Sequence, residues 1–219
     1  MPNIICSSYF ENGNQYIPNN KDINTEPTSS PTSITEIDYF IEEYERELLL
    51  NSLGVILYNE LQLSLEDLDS AEQRWKDLVE GKEYTNSNGD VRLWEGLRGV
   101  NKQSVISLFV YTEYLRNHNE TYSTVGVVKN IPKNAEIYNP TPKFIKAHRK
   151  FIKYYQGNIN NNFNGLVVNG FGSFGVDYFN KEVNVSLYRF LNDSNELNEI
   201  EPYPNFSFKF YEELNSFGI

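Results

Sequence analysis

Between Ser33 and Gln62 the apolar side chains Ile34, Ile37, Ile41, Tyr44 and Leu48 recur three and four residues apart, which stacks them on one stripe of an α-helix. Glu42, Glu43, Glu45, Arg46 and Glu47 fill the positions between, so the other face is charged and belongs in water. Ser33 stands three residues before Glu36, the spacing of a capping box that satisfies free N–H groups of a first helical turn. From Leu53 to Leu61 the chain is apolar on most sides, and Gly54 lowers its helical preference. A long helix, a kink or short turn at Asn51 to Gly54, and a second short buried helix are predicted.

Further helical stripes follow. Ser64 and Asp67 open a pattern of Leu65, Leu68, Ala71, Trp75, Leu78 and Val79 that Gly81 is placed to end. Leu97, Val100, Ser104, Leu108, Tyr111 and Leu115 keep helical spacing around the apolar run VISLFVY, which predicts a central helix from Leu97 to about Asn117. Thr141 and Pro142 launch another helix, with Phe144, Ile145, His148, Phe151, Ile152 and Tyr155 as its stripe and Gly157 as its stop. Between these, Asn88-Gly89 lies in EYTNSNGDVRLW and predicts a β-hairpin over 83–94. TYSTVGVVK reads as strand. Residues 1–32 are polar and lack a sustained period, so they form an arm, either loose or folded onto a partner.

At 157–165, GNINNNFNG has the composition of a linker. Residues 166–219 then form a smaller α+β region: strand-like runs between glycines, a short helix at VSLYRFL, and FSFKFY. In that last run Phe206, Phe208 and Phe210 alternate with polar residues as on a half-buried strand. The fold class is therefore mainly α: a helical bundle over 33–156 with a β-hairpin insertion, followed by a smaller β-rich C-terminal region.

Composition narrows the function. The 219 residues carry 19 Lys and Arg against 30 Asp and Glu, a net charge of −11, which argues against a general phosphate-binding surface. With a single cysteine, Cys6, neither an intrachain disulfide nor a cysteine-based zinc cage is expected. MPNIICSSYF lacks the form of a signal peptide, and no segment reaches the roughly 18 to 20 apolar residues of a membrane span, so no membrane partner is expected. The 16 Tyr and 14 Phe supply much of the burial that a low aliphatic content leaves missing.

Candidate chemistry is sparse. GFGSFG at 170–175 has the glycine spacing of a dinucleotide loop, but no amphipathic helix follows to aim its N-terminus at a pyrophosphate. His118 and His148 have no partner at a metal-ligand spacing, and Glu43 with Glu47 reads as a solvated helix face. Catalytic residues, cofactors and metals are therefore not expected. Basic residues gather once, at Lys143, Lys146, Arg149, Lys150 and Lys153 on one helix. That face has three readings: contact with DNA, with an acidic protein surface, or with water. Copies packed head to tail would set it against an acidic face such as Glu42 to Glu47.

The runs EYERELLLNSLGVILYNEL, LVEGKEY, LWEGLRG and TYSTVGVVKN, with SLYRFL, EPYPNFSF and the ending NSFGI, resemble head-to-tail connector (neck ring or adaptor) proteins of tailed bacteriophages, those of crAss-like and related Bacteroidetes phages above all. The likeness spans residues 33–219. It implies a non-enzymatic virion protein made in the bacterial cytoplasm. Its copies would form a ring, a dodecamer, in the phage neck, bound to the portal protein and to another neck or tail ring, with DNA passing through the lumen unbound. Lys143, Lys146, Arg149, Lys150, Phe206, Phe208 and Phe210 are the candidate interface residues. The small connectors of siphophages are shorter, so the part after Gly157 has no counterpart there. The alternative is a non-catalytic ligand-binding module that uses its aromatic C-terminal region.

Overall fold

The computed structural model describes residues 2–17, 36–86, 89–118, 121–123, 126–128, 141–157, 184–196 and 201–212. Among these the chain is mainly helical, with two small antiparallel strand pairs. Helix α1 runs Glu36–Glu66 and breaks at Gly54, whose φ of 79° and ψ of 170° are not helical. The expected kink thus falls within Asn51 to Gly54. Helix α2 (Gln73–Glu80), strands β1 (Lys82–Thr85) and β2 (Val91–Trp94), and helix α3 (Val105–His118) follow. Then come β3 (Thr121–Ser123), β4 (Gly126–Val128), α4 (Thr141–Tyr155) and α5 (Leu187–Glu196).

Helix α3 is the middle of the molecule. It packs against α1 on one side and α4 on the other, with Tyr44 edge-on to Phe109 and Phe109 against Phe151. Val105, Ile106, Leu108, Phe109, Val110 and Tyr111 are all buried, which is why its sequence is apolar nearly all round. The hairpin pairs Lys82 with Trp94 through Thr85 with Val91. Its turn closes where the Asn86 N–H donates to Asp90 O, and Gly89 has the positive φ, 85°, that the NG signal requires; Asn88 lies outside the described residues. Trp94 stacks on Phe190, so α5 seats on the hairpin. Val185, Leu187, Phe190, Leu191 and Tyr203 belong to the same hydrophobic core as the helices before Gly157.

Two segments strap the α1–α3–α4 layer. At the N-terminus, Ile4, Ile5, Phe10 and Ile17 are buried and two 3₁₀ turns, Ser7–Phe10 and Gly13–Gln15, carry the chain across α1 and α3. Its N–H groups at Ile4 and Ile5 donate to Glu45 at 2.7 and 3.2 Å, and the Gln15 side chain meets the Ser107 hydroxyl. The first half of the expected arm is therefore part of the body; residues 18–32 lie outside the described residues. At the C-terminus, residues 206–212 run over the kink of α1. Its N–H groups at Ser207 and Lys209 donate to the carbonyls of Leu53 and Asn51, which the break in the helix leaves without intrahelical partners.

The expected boundaries shift where caps compete. Ser64 does not open a new helix: its hydroxyl donates to Glu60 O inside α1, and Asp67 caps a 3₁₀ turn, Leu68–Ser70, instead. The central helix begins at Val105, not Leu97. Ser104 and Ser107 exchange side-chain to backbone hydrogen bonds that cap it, while Asn101 and Lys102 ahead of them are left-handed at φ 54° and 57°. TYSTVGVVK is not one strand but the pair β3 and β4, Thr121 opposite Val128. Phe206, Phe208 and Phe210 join no strand ladder, and the described C-terminal residues hold α5 with no named strand. The glycine-rich run 170–175, residues 158–165 of the linker, and Ser33 lie outside the described residues.

Ile37–Glu66 is long and apolar enough by composition to cross a membrane, although the sequence read as holding no such segment. One side of it is core, with Leu48, Leu49, Leu53, Leu57 and Leu61 buried, while Val55, Ile56 and Leu63 are exposed, and Gly54 breaks the span.

Candidate interaction surfaces

Helix α4 turns Phe144, Ile145, His148, Phe151, Ile152 and Tyr155 inward and leaves Lys143, Lys146, Arg149 and Lys153 exposed. Lys146, Arg149 and Lys153 follow each other at three and four residues, so they form one outward stripe. Lys150 leans toward the body, its ammonium 5.6 Å from the Tyr154 ring, and burial followed by the neighbouring Lys146 charge pulls it below the ordinary lysine range. Lys143 lies 5.4 Å from the Tyr111 ring. His148 is buried, with Nε2 3.0 Å from Glu212 O.

On the far side of α3, the two halves of α1 fold about Gly54 and enclose a groove of about 640 Å³. Tyr39, Glu42, Glu43, Arg46, Glu47 and Leu50 come from the first half, Tyr58 and Gln62 from the second, and Asn3 from the N-terminal strap. Glu45 is at its floor and is not part of the solvated face: it is 2% exposed, and burial raises its carboxyl to about 7 against the opposing pull of the two N–H donors. Gln62 Oε1 is buried and accepts no hydrogen bond from any described residue. Past the kink, Val55, Ile56 and Leu63 are 65%, 75% and 70% exposed, and their spacing puts them on one face of the second half of α1. Three large apolar side chains side by side in water are a surface that association would cover.

The aromatic C-terminal residues are held by this chain. Tyr188 contacts Phe206, Phe208 and Phe210 at 6.3, 4.8 and 4.9 Å, and Phe208 stacks on Tyr155 at 4.4 Å. Of the three only Phe210 is largely exposed. Tyr211 locks the segment: its N–H and C=O pair with the Gln156 amide at 2.8 Å each, and its hydroxyl accepts from Asn51 at 2.8 Å. Its ring meets Phe109, Phe151 and Tyr155, and burial pushes its phenol up to about 12. Tyr211→Ala is expected to lower unfolding free energy by about 3 kcal/mol, the range of a buried aromatic truncation. Urea denaturation would check this; a midpoint equal to the parent's would mean that the segment is not part of the fold.

Two polar features lie elsewhere. A cleft of about 370 Å³ opens between the N-terminal strap, the loop with left-handed Asn101 and Lys102, and Tyr154 of α4. Its lining is mostly amide and hydroxyl, with Glu95 and Lys102 as the charges, and Lys102 Nζ donates to Ser8 O at 3.4 Å. Between the hairpin and α5, Tyr84 donates to Asp193 at 2.7 Å and Arg189 pairs with the same carboxylate at 2.8 Å. Burial, reinforced by Asp193, drives the Tyr84 phenol well above its ordinary value. This buried network fixes α5 on the hairpin.

Among the described residues no group of three or more His, Cys, Asp and Glu side chains is arranged to hold a metal ion. Comparison with family models, with curated proteins and with solved structures finds no match. The structure places the four basic candidates on one helix and the three phenylalanines around Tyr188, with Phe208 against Tyr155 at the end of that helix. Sequence reasoning missed the groove, because it forms only when the halves of α1 fold together. It also missed buried Glu45, whose one signal is its position beside the Ile41–Leu48 stripe.

Proposed function

We propose that this chain is a structural protein of a tailed-bacteriophage neck, a ring subunit that joins the portal to the next neck or tail ring and leaves a passage for DNA. The reading begins from the resemblance over residues 33–219. The observation that carries it is the exposed apolar face of α1, Val55, Ile56 and Leu63, which has the character of a contact surface left uncovered in a single chain. The net charge of −11 suits a passage along which DNA slides without being held. Twelve copies, the number the resemblance implies, would place this acidic protein around the duplex. A ligand-binding module built on the aromatic C-terminal region has less support, since Phe206 and Phe208 are occupied with Tyr188 and Tyr155.

The test is co-migration of the purified chain with the portal ring of the same phage on size exclusion. Binding is expected, and Ile56→Asp together with Leu63→Asp is expected to weaken it about 10-fold or more, as loss of buried apolar contact does. No co-migration at any ratio would reject the proposal.

A further inference from the structure

We propose that the acidic groove of α1 receives the basic face of α4 from a second copy of this chain. This rests on the ring reading and names the contact that would build the ring. Helix α3 separates α1 from α4, and the exposed residues of each outer helix lie opposite its buried stripe. The two charged faces therefore point away from each other, and one molecule cannot bring its own pair together. Two copies can. Each molecule then offers α4 to one neighbour and its groove to another, a heterologous contact that closes into a ring when the rotation per copy allows.

The two surfaces match in sign, length and chemistry. Lys146, Arg149 and Lys153 span about 10 Å of helix at 1.5 Å per residue. In the groove Glu42, Glu43 and Glu47 lie within about two turns, accompanied by one cation, Arg46. Tyr39, 59% exposed, gives an apolar surface for lysine stems. DNA is the weaker occupant for the α4 face. The chain as a whole carries a net charge of −11 and repels a duplex, whereas its acidic groove attracts a second α4.

Charge exchange tests this. The variants are Glu42→Lys with Glu43→Lys, Lys146→Glu with Lys153→Glu, and all four together; every one of these side chains is exposed, and circular dichroism would confirm that each variant folds. Sedimentation from about 10 μM to about 1 mM at low salt, where surface charge is least screened, should show concentration-dependent association of the parent that weakens as salt is raised. Each two-site variant should associate at least about 10-fold more weakly, and the four-site variant should return to within about 3-fold of the parent, because its faces are complementary again. A parent that stays monomeric throughout, two-site variants that associate like the parent, or a four-site variant that fails to recover would each overturn the proposal. So would duplex DNA binding by the parent that the Lys146→Glu, Lys153→Glu variant loses while self-association is absent. Association through other faces, with portal binding intact, would reject this contact and leave the neck reading standing; loss of portal binding itself would reject that reading instead.

Discussion

Gly54→Ala is expected to destabilise the chain by about 3 kcal/mol. At φ 79° and ψ 170° the backbone occupies a region that residues with a Cβ essentially do not enter, which costs on the order of 1 to 3 kcal/mol by itself. A Cβ there would also sit 3.2 Å from the Cβ of Ser207, pressing on the segment whose N–H groups at 207 and 209 satisfy the kink carbonyls. Relief by straightening the helix is closed off, because it would take those carbonyls away from Ser207 and Lys209 and open the groove of α1. Urea denaturation should show the loss directly, and faster hydrogen exchange at 207 and 209 should accompany it. A variant within about 1 kcal/mol of the parent would mean that the kink does not depend on glycine.

Glu45 should make stability depend on pH. In the unfolded chain its carboxyl titrates near 4.5, and in the folded chain burial raises it to about 7. Between those values the folded state binds more protons, so the contribution is fully present below the lower value and is lost as pH rises through the upper one. At about 1.4 kcal/mol per pH unit the change is on the order of 3 kcal/mol. Glu45→Gln retains an oxygen for one of the two strap N–H groups and removes the titration. The difference in unfolding free energy between parent and variant should therefore slope from pH 4.5 to 7, with the variant gaining on the parent toward neutral pH. A difference that stays flat across that window would show that Glu45 keeps an ordinary carboxyl in the folded chain.

The helices were legible where one periodic face meets one neighbour. The stripes of α1 and α4 are readable because α3 covers a single side of each, and the break was readable because glycine is the residue that tolerates it. The N-terminal strap was not, since its buried Ile4, Ile5, Phe10 and Ile17 follow no period, and the hydrogen bonds that hold the strap go to Glu45 and Ser107, far along the chain. The alternation of Phe206, Phe208 and Phe210 predicts a strand, yet the segment joins no sheet, and its N–H groups at 207 and 209 donate to the broken edge of α1. Local pattern reveals conformation here and conceals the partner. The basic stripe of α4 was visible as a run of lysines, whereas the groove needs two halves of one helix that only the fold brings together.

The most direct measurement is an electron-microscopic reconstruction of the purified chain mixed with the portal ring of the same phage. A second ring of density coaxial with the portal is expected, built of twelve repeats, with the apolar face of α1 covered and an open passage at the centre. Portal rings carrying no added density while the chain remains a free monomer would contradict the account.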